Sequence, residues 1–295
     1  MLTTSELRRL AVVMVLGLVA RVAALAPGFG APSDPDMYLP IARSLAEGRG
    51  FCIWEGEPTA NRPPLYPILL APIARSLDGR GLAAGIAALH VLLGLGTIAL
   101  TYWAGRRWGY SPDRAAIAAA IVALDPVLLA QTRPVMTETL AAFLVAACLA
   151  TMTLEGKRSA LIAGLAFGLA ALCRPSLLPG AVLVGIARAA VGPGDRRRRI
   201  RDAALFAIAL GTTLAPWAIR NQRRFGEPIV TTTHGGYTLA LANNPAYYAD
   251  VVEGAPWSVW SGPNQAAWFD WVAKATAGLT PAQADHLLQV EGWRM

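Results

Sequence analysis

Along this chain, apolar positions gather into long runs separated by short turns, most of them rich in arginine. The runs cover residues 7–26, 82–104, 115–131, 135–154, 159–173, 177–190 and 203–219. Several approach the roughly 20 residues that a helix needs to cross a bilayer. The pattern therefore predicts an all-α polytopic membrane protein with about seven transmembrane helices. The fifth and sixth runs are short and rich in Gly and Ala, small residues that let membrane helices approach closely. For the first run a signal peptide is the rival reading. The run is long, Arg21 interrupts it late, and no small-residue cleavage site follows, so a first transmembrane helix is expected.

Two stretches break the pattern. The first, 27–81, is expected to be a large outer loop. Within it Tyr38, Ile41, Ala42 and Leu45 recur at helical spacing while Arg43 and Glu47 lie elsewhere around the helix. Such an amphipathic helix can rest in the membrane interface with its apolar side in lipid. The second stretch, 220–295, is polar and aromatic. Its Trp257, Trp260, Trp268 and Trp271 suit either the headgroup level or a small folded cap. The expected organisation is a transmembrane domain over 1–219 and an extracytoplasmic segment over 220–295.

Composition agrees. The 295 residues are 55% hydrophobic and 15% charged, against about 45–50% and 25% for an ordinary soluble domain. The net charge of +7 is not read as nucleic-acid binding, because no such motif accompanies it. Instead the charge sorts by side. With the N-terminus inside, the inner segments carry Arg8, Arg9, Arg106, Arg107, Arg114, Lys157, Arg158, Arg196, Arg197, Arg198, Arg199 and Arg201. The short outer turns carry only Arg133 and Arg174. Positive residues stay inside, so a cytoplasmic N-terminus and an extracytoplasmic 27–81 loop are expected, in the cell membrane. Cys52, Cys148 and Cys173 show no ligand spacing and predict neither disulfides nor zinc.

Candidate chemistry concentrates on the outer side. Asp34 and Asp36 stand just before the amphipathic helix, where a carboxylate either caps the helix or does chemistry. In Arg62-Pro63-Pro64-Leu65-Tyr66-Pro67 the prolines stiffen the backbone and hold an arginine whose fork suits a phosphate. Glu138 opens the fourth run, where an ionisable group faces a cavity or a partner; the nearest cation in sequence is Arg133. Arg174-Pro175 ends the fifth run as a headgroup anchor or a phosphate contact. Asp125-Pro126 is expected to be structural and His90 a packed, hydrogen-bonded histidine. His234, beside Gly235-Gly236, is the better site candidate. No HExxH, GxSxG or Walker motif is present, which argues against membrane proteases, serine hydrolases and nucleotide-driven pumps.

Taken in order, these pieces resemble the N-terminal part of a GT-C-fold membrane glycosyltransferase of the protein O-mannosyltransferase and aminoarabinose-transferase type. The resemblance runs from residue 7 to about residue 245. It rests on Asp34 four residues before Tyr38, then Ala42, Leu45, Gly48 and Gly50-Phe51; on Arg62 to Pro67; and on Thr137-Glu138-Thr139-Leu140 and Arg174-Pro175. Trp217, Arg220-Asn221, Phe225-Gly226 and Asn243-Asn244-Pro245 complete it. It implies inverting transfer of a sugar from a polyprenyl-phosphate donor to an acceptor outside the cytoplasmic membrane. Asp34 falls on the family's catalytic aspartate and would be the general base, with Asp36 beside it. Arg62 would hold the charge of the lipid-phosphate leaving group, with Arg174 and Arg133 as further phosphate contacts. Glu138, Tyr66, His234, Arg220 and Asn221 are the remaining candidates. Asp34 and Arg62 are expected to converge on one pocket just above the lipid.

Three departures qualify the resemblance. Pro35 separates Asp34 from Asp36 where relatives often carry Glu directly after the aspartate. Asn61 stands where the aminoarabinose transferases carry Glu, which weighs against a metal at that place and leaves a divalent metal open in general. Relatives also continue with further spans, which this chain lacks at Met295. The implied partners are the lipid-linked donor, the bilayer and an acceptor protein, lipid or polysaccharide, with no nucleic acid. A transporter or flippase of a lipid-linked solute, or an inactive truncated fragment, are the rival readings; a transporter predicts charges grouped mid-membrane, and these lie mainly outside.

Overall fold

The computed structural model describes residues 3–26, 33–54, 56–154, 156–254 and 262–294. Trp257 and Trp260 lie outside them. The chain is mostly helical: α1 (Thr4–Leu25), α2 (Tyr38–Ala46), the short antiparallel pair β1 (Cys52–Trp54) and β2 (Glu57–Pro58), α3 (Leu65–Ser76), α4 (Gly79–Arg107), α5 (Pro112–Leu124), α6 (Pro126–Ala130) and α7 (Glu138–Thr151). There follow α8 (Lys157–Cys173), α9 (Leu178–Val191), α10 (Arg196–Phe225), α11 (Gly235–Ala242), α12 (Pro245–Glu253), α13 (Pro263–Ala275) and α14 (Pro281–Trp293). Among the described residues two helices, α4 of 29 residues and α10 of 30, are long and apolar enough to cross a membrane.

Several predicted spans differ in detail. The run 115–131 is two helices, because Asp125 leaves the helical region at ψ 119° and its carboxylate accepts from the Leu128 amide at 2.8 Å. The residue before a proline avoids helical geometry, and Asp125 then caps α6. The run 135–154 yields a helix of only 14 residues, about 21 Å long at 1.5 Å per residue, against a hydrocarbon core of about 30 Å.

The chain forms two compact units: residues 1–58 with 63–216, and residues 59–62 with 217–295. Among the described residues the first shows three apolar cores. Val13, Ile98, Tyr102, Ala115, Ala119 and Ala123 join α1, α4 and α5. Arg21 sits beside them, 2% exposed, donating to the Gly17 and Ala123 carbonyls at 3.2 and 3.3 Å. A second core takes Tyr38, Leu39 and Ala42 of α2 together with Tyr66, Leu70, Leu82, Ile86, Leu140 and Leu144. The apolar side of α2 is therefore buried against protein rather than laid in lipid, because α3 offers it a matching face.

The third core joins α8 to α10 through Ala160, Ala163 and Phe206. A Cβ on Gly164 would run into the Phe206 carbonyl, the Ala209 methyl and the Leu210 amide. Backbone atoms cannot turn aside as a flexible side chain can. Gly164→Ala is accordingly expected to destabilise the first unit by about 1–3 kcal/mol, read as a lowered thermal midpoint in detergent.

The second unit closes on Ala240, Trp268 and Leu288, with Tyr237, Leu241 and Val272 packed around them. Trp268 is thus a core residue, whereas Trp271 is 42% exposed. Asp285 of α14 accepts from the Gly236 amide at 2.6 Å and so caps α11 across the unit. Residues 59–62 belong here and not with the loop that surrounds them in sequence. The Ala60 carbonyl accepts from the Thr232 hydroxyl at 2.9 Å and the Thr233 amide at 3.0 Å, and the Thr59 carbonyl accepts from Arg220 at 2.7 Å.

Candidate active site

In the first unit Asp34 begins the construction. Its Oδ1 accepts from the Tyr38 amide at 2.9 Å and its Oδ2 from the Leu39 amide at 2.7 Å, so the carboxylate caps α2. Met37, between cap and helix, lies at φ 61°, a region that non-glycine residues seldom enter. The preceding residue is fastened too: the Ser33 carbonyl accepts from the Val135 amide at 2.8 Å. The half-buried carboxylate is held in place on both sides in sequence. Asp36 lies half-buried in the turn itself.

Behind the α2 turn stands Tyr66, fully buried, its ring 5.3 Å from Tyr38 in an edge contact. Its hydroxyl lies 2.7 Å from His90 Nε2, while His90 Nδ1 lies 3.1 Å from the Thr132 carbonyl. A carbonyl only accepts, so Nδ1 carries the proton and Nε2 accepts from the tyrosine. Burial pushes the Tyr66 phenol well above its ordinary value, and the negative charge of Asp34 adds to it. Tyr66 is a neutral donor that ties α3 to α4.

Glu138 lies in the same neighbourhood, its charge also bearing on Tyr66. The sequence left Glu138 between a cavity and pairing with the nearby Arg133; the structure pairs it with Arg174, whose Nη1 donates to Oε1 at 2.8 Å. Arg133 itself is exposed. The other oxygen, Oε2, is buried with no hydrogen-bond partner among the described residues. Arg174 keeps 44% of its side chain exposed. Cys173 donates weakly to the Thr137 carbonyl at 3.8 Å, packing the α7 and α8 ends together.

In the second unit Arg62 donates to His234 Nε2 at 2.9 Å, and His234 Nδ1 meets Asn61 Oδ1 at 2.8 Å. A guanidinium cannot accept, so Nε2 is the acceptor and Nδ1 donates to Asn61. The ring stacks on Tyr237 at 4.9 Å. Burial, and after it the Arg62 charge, press the imidazole from 6.5 to about 4. Below pH 6.5 the unfolded chain binds a proton that the folded unit refuses. Stability is complete above that value and falls as pH drops toward about 4. Unfolding followed across this window is expected to lose that slope in His234→Gln.

Arg220 and Asn221 brace this arrangement. The Arg220 guanidinium lies 5.0 Å from the Trp217 ring centre and 5.3 Å from that of Phe225, and donates to Asn221 Oδ1 at 2.8 Å. Asn221 is fully buried and donates to the Ile229 carbonyl at 2.7 Å. These two hold backbone in place around Arg62. Asp34, Asp36, Tyr66, Glu138, Arg133 and Arg174 thus belong to the first unit, and Arg62, His234, Arg220 and Asn221 to the second. Sequence reasoning missed His90 as the partner of Tyr66, since 24 residues separate them and no spacing links them. Among the described residues no three His, Cys, Asp or Glu side chains gather as metal ligands.

A mostly helical chain with two helices long and apolar enough to cross a membrane among the described residues points to a membrane-associated protein. Sequence comparison adds a partial match. Residues 75–191 match the family model described as dolichyl-phosphate-mannose-protein mannosyltransferase, a GT-C family domain. The match covers less than half of the chain; it includes Arg133, Glu138 and Arg174 but not Asp34, Tyr66 or Arg62. No curated protein and no solved structure gives a match. The domain supports a membrane glycosyltransferase of mannosyltransferase type.

Proposed function

We propose that the protein transfers mannose from a polyprenyl-phosphate donor to a hydroxyl of an acceptor protein, on the extracytoplasmic face and with inversion. The observation that carries the reading is the Asp34 carboxylate, fixed by two amides and half-buried ahead of α2. Asp34 takes the proton from the acceptor hydroxyl as its oxygen attacks the anomeric carbon. The bond from that carbon to the phosphate oxygen breaks, and polyprenyl phosphate leaves. Arg62 neutralises the charge gathering on the phosphate, with Arg174 and Arg133 as further cations toward the anionic donor. Arg220, Asn221 and His234 position Arg62; Tyr66 and Glu138 position the α2 turn.

The sorting of arginines along the chain supports a multi-pass topology with a cytoplasmic N-terminus, and with it an outer location for Asp34 and Arg62. A hydrophobic carrier reaches that face without a soluble intermediate. The test is transfer from radiolabelled polyprenyl-phosphate mannose to a serine- and threonine-containing peptide, using the full chain in vesicles. Labelled peptide above the level of empty vesicles is expected. No label transferred from mannose, with a folded chain, overturns the reading.

A further inference from the structure

We propose a second site, on the first unit, that binds the phosphate group of an anionic phospholipid. It is a cavity of about 480 Å³ where the ends of α7 and α9 meet the beginnings of α8 and α10, a volume within the range of small-ligand sites. Among the described residues Arg188, Arg198 and Arg199 line it, with Asp202 as the one carboxylate among them. That carboxylate is already engaged, 3.7 Å from Arg198 and 2.7 Å from Arg201. The described lining therefore keeps a positive excess suited to an anion.

One donor in the wall is unused. Arg199 gives Nη1 to the Ala190 carbonyl at 3.0 Å, while its Nε is buried with no partner among the described residues. A buried N–H that binds nothing costs free energy, and a phosphate oxygen removes that cost. The first amides of α10 are not the attraction, since Asp195 already accepts from the Arg198 amide at 3.0 Å. The guanidiniums carry the site.

The rest of the cavity selects a lipid. Leu154, Val184, Ala187 and Val191 line its other side. Val191 is 79% exposed, and Leu183 and Ile186 on the same helix are 66% and 59% exposed. An apolar helix face that runs up to an arginine-lined hollow matches a molecule with acyl chains below a phosphate. Basic pockets beside membrane helices hold anionic headgroups in this way. A soluble phosphate ester would leave the apolar side uncovered.

The site is independent of the transfer chemistry, and its test reads binding alone. The full chain in phosphatidylcholine nanodiscs is titrated with fluorescent phosphatidylglycerol, then with fluorescent phosphatidylcholine, and finally with inorganic phosphate as competitor. Saturable binding of phosphatidylglycerol only is expected. Arg188→Gln with Arg199→Gln is expected to weaken it about thirtyfold. Arg198→Gln, at a side chain 44% exposed whose ion pair with Asp202 is long, at 3.7 Å, is expected to weaken it about fivefold. Equal binding of the two lipids overturns the proposal, as does unchanged affinity in Arg198→Gln. Phosphate competing at the affinity of the lipid overturns it too, by making a soluble phosphate ester the ligand.

Discussion

Asp34→Asn is expected to lower mannosyl transfer by about 10²–10⁴-fold, the usual worth of a positioned general base, while the helix behind it persists. The two effects separate because the carboxylate has two duties. As a cap it accepts the Tyr38 and Leu39 amides at 2.9 and 2.7 Å. An amide oxygen can still take one of them, so the variant loses one bond, about 1 kcal/mol. As a base the residue must accept a proton from the acceptor hydroxyl, which an amide does not do. Asp34→Ala removes both duties and is expected to add about 1 kcal/mol of lost capping. Transfer rate at saturating donor, measured beside the thermal midpoint, distinguishes the cases. A wild-type rate in Asp34→Asn would reduce the residue to a cap.

What the sequence discloses and what it hides follow from how far apart the partners lie. The cap is legible because Asp34 and Tyr38 are four residues apart and the apolar spacing announces α2. The long apolar runs of α4 and α10 are legible for the same reason: length and composition are local properties. The dipeptide Asp125-Pro126 announces a structural role, yet an apolar count over 115–131 passes straight through the break it causes. Pairings between elements are another matter. Glu138 has Arg133 five residues away but takes Arg174, 36 residues on. Arg62 meets His234 across 172 residues. Such choices depend on which helix ends are brought together, and no periodicity encodes that. The fate of the α2 apolar face is hidden likewise, because the same pattern serves for lipid or for α3. Residues 59–62 look like part of one loop, and their bonds to Arg220, Thr232, Thr233 and His234 assign them to the second unit.

Arg62→Ala is expected to lower kcat/KM for the lipid donor by about 10²-fold, the scale of one lost group at a charge that develops in the transition state. Arg62→Lys should recover part of that, because an ammonium supplies charge without the fork that meets two oxygens at once. A second readout separates phosphate binding from simple damage to the unit. Arg62 presses on His234, whose imidazole is held at about 4 first by burial and then by that guanidinium. Removing the charge leaves burial in place, so the histidine in Arg62→Ala should titrate above about 4 and still below 6.5, a shift visible in its ring-proton NMR resonance. In Arg62→Lys the positive charge stays and the titration should move little. Transfer lost in Arg62→Ala with His234 shifted as expected, and partly regained in Arg62→Lys, is the outcome for a cation acting on the donor in an intact unit. Full transfer in Arg62→Ala, with the histidine shifted all the same, would leave Arg62 as a partner of His234 and remove it from the chemistry.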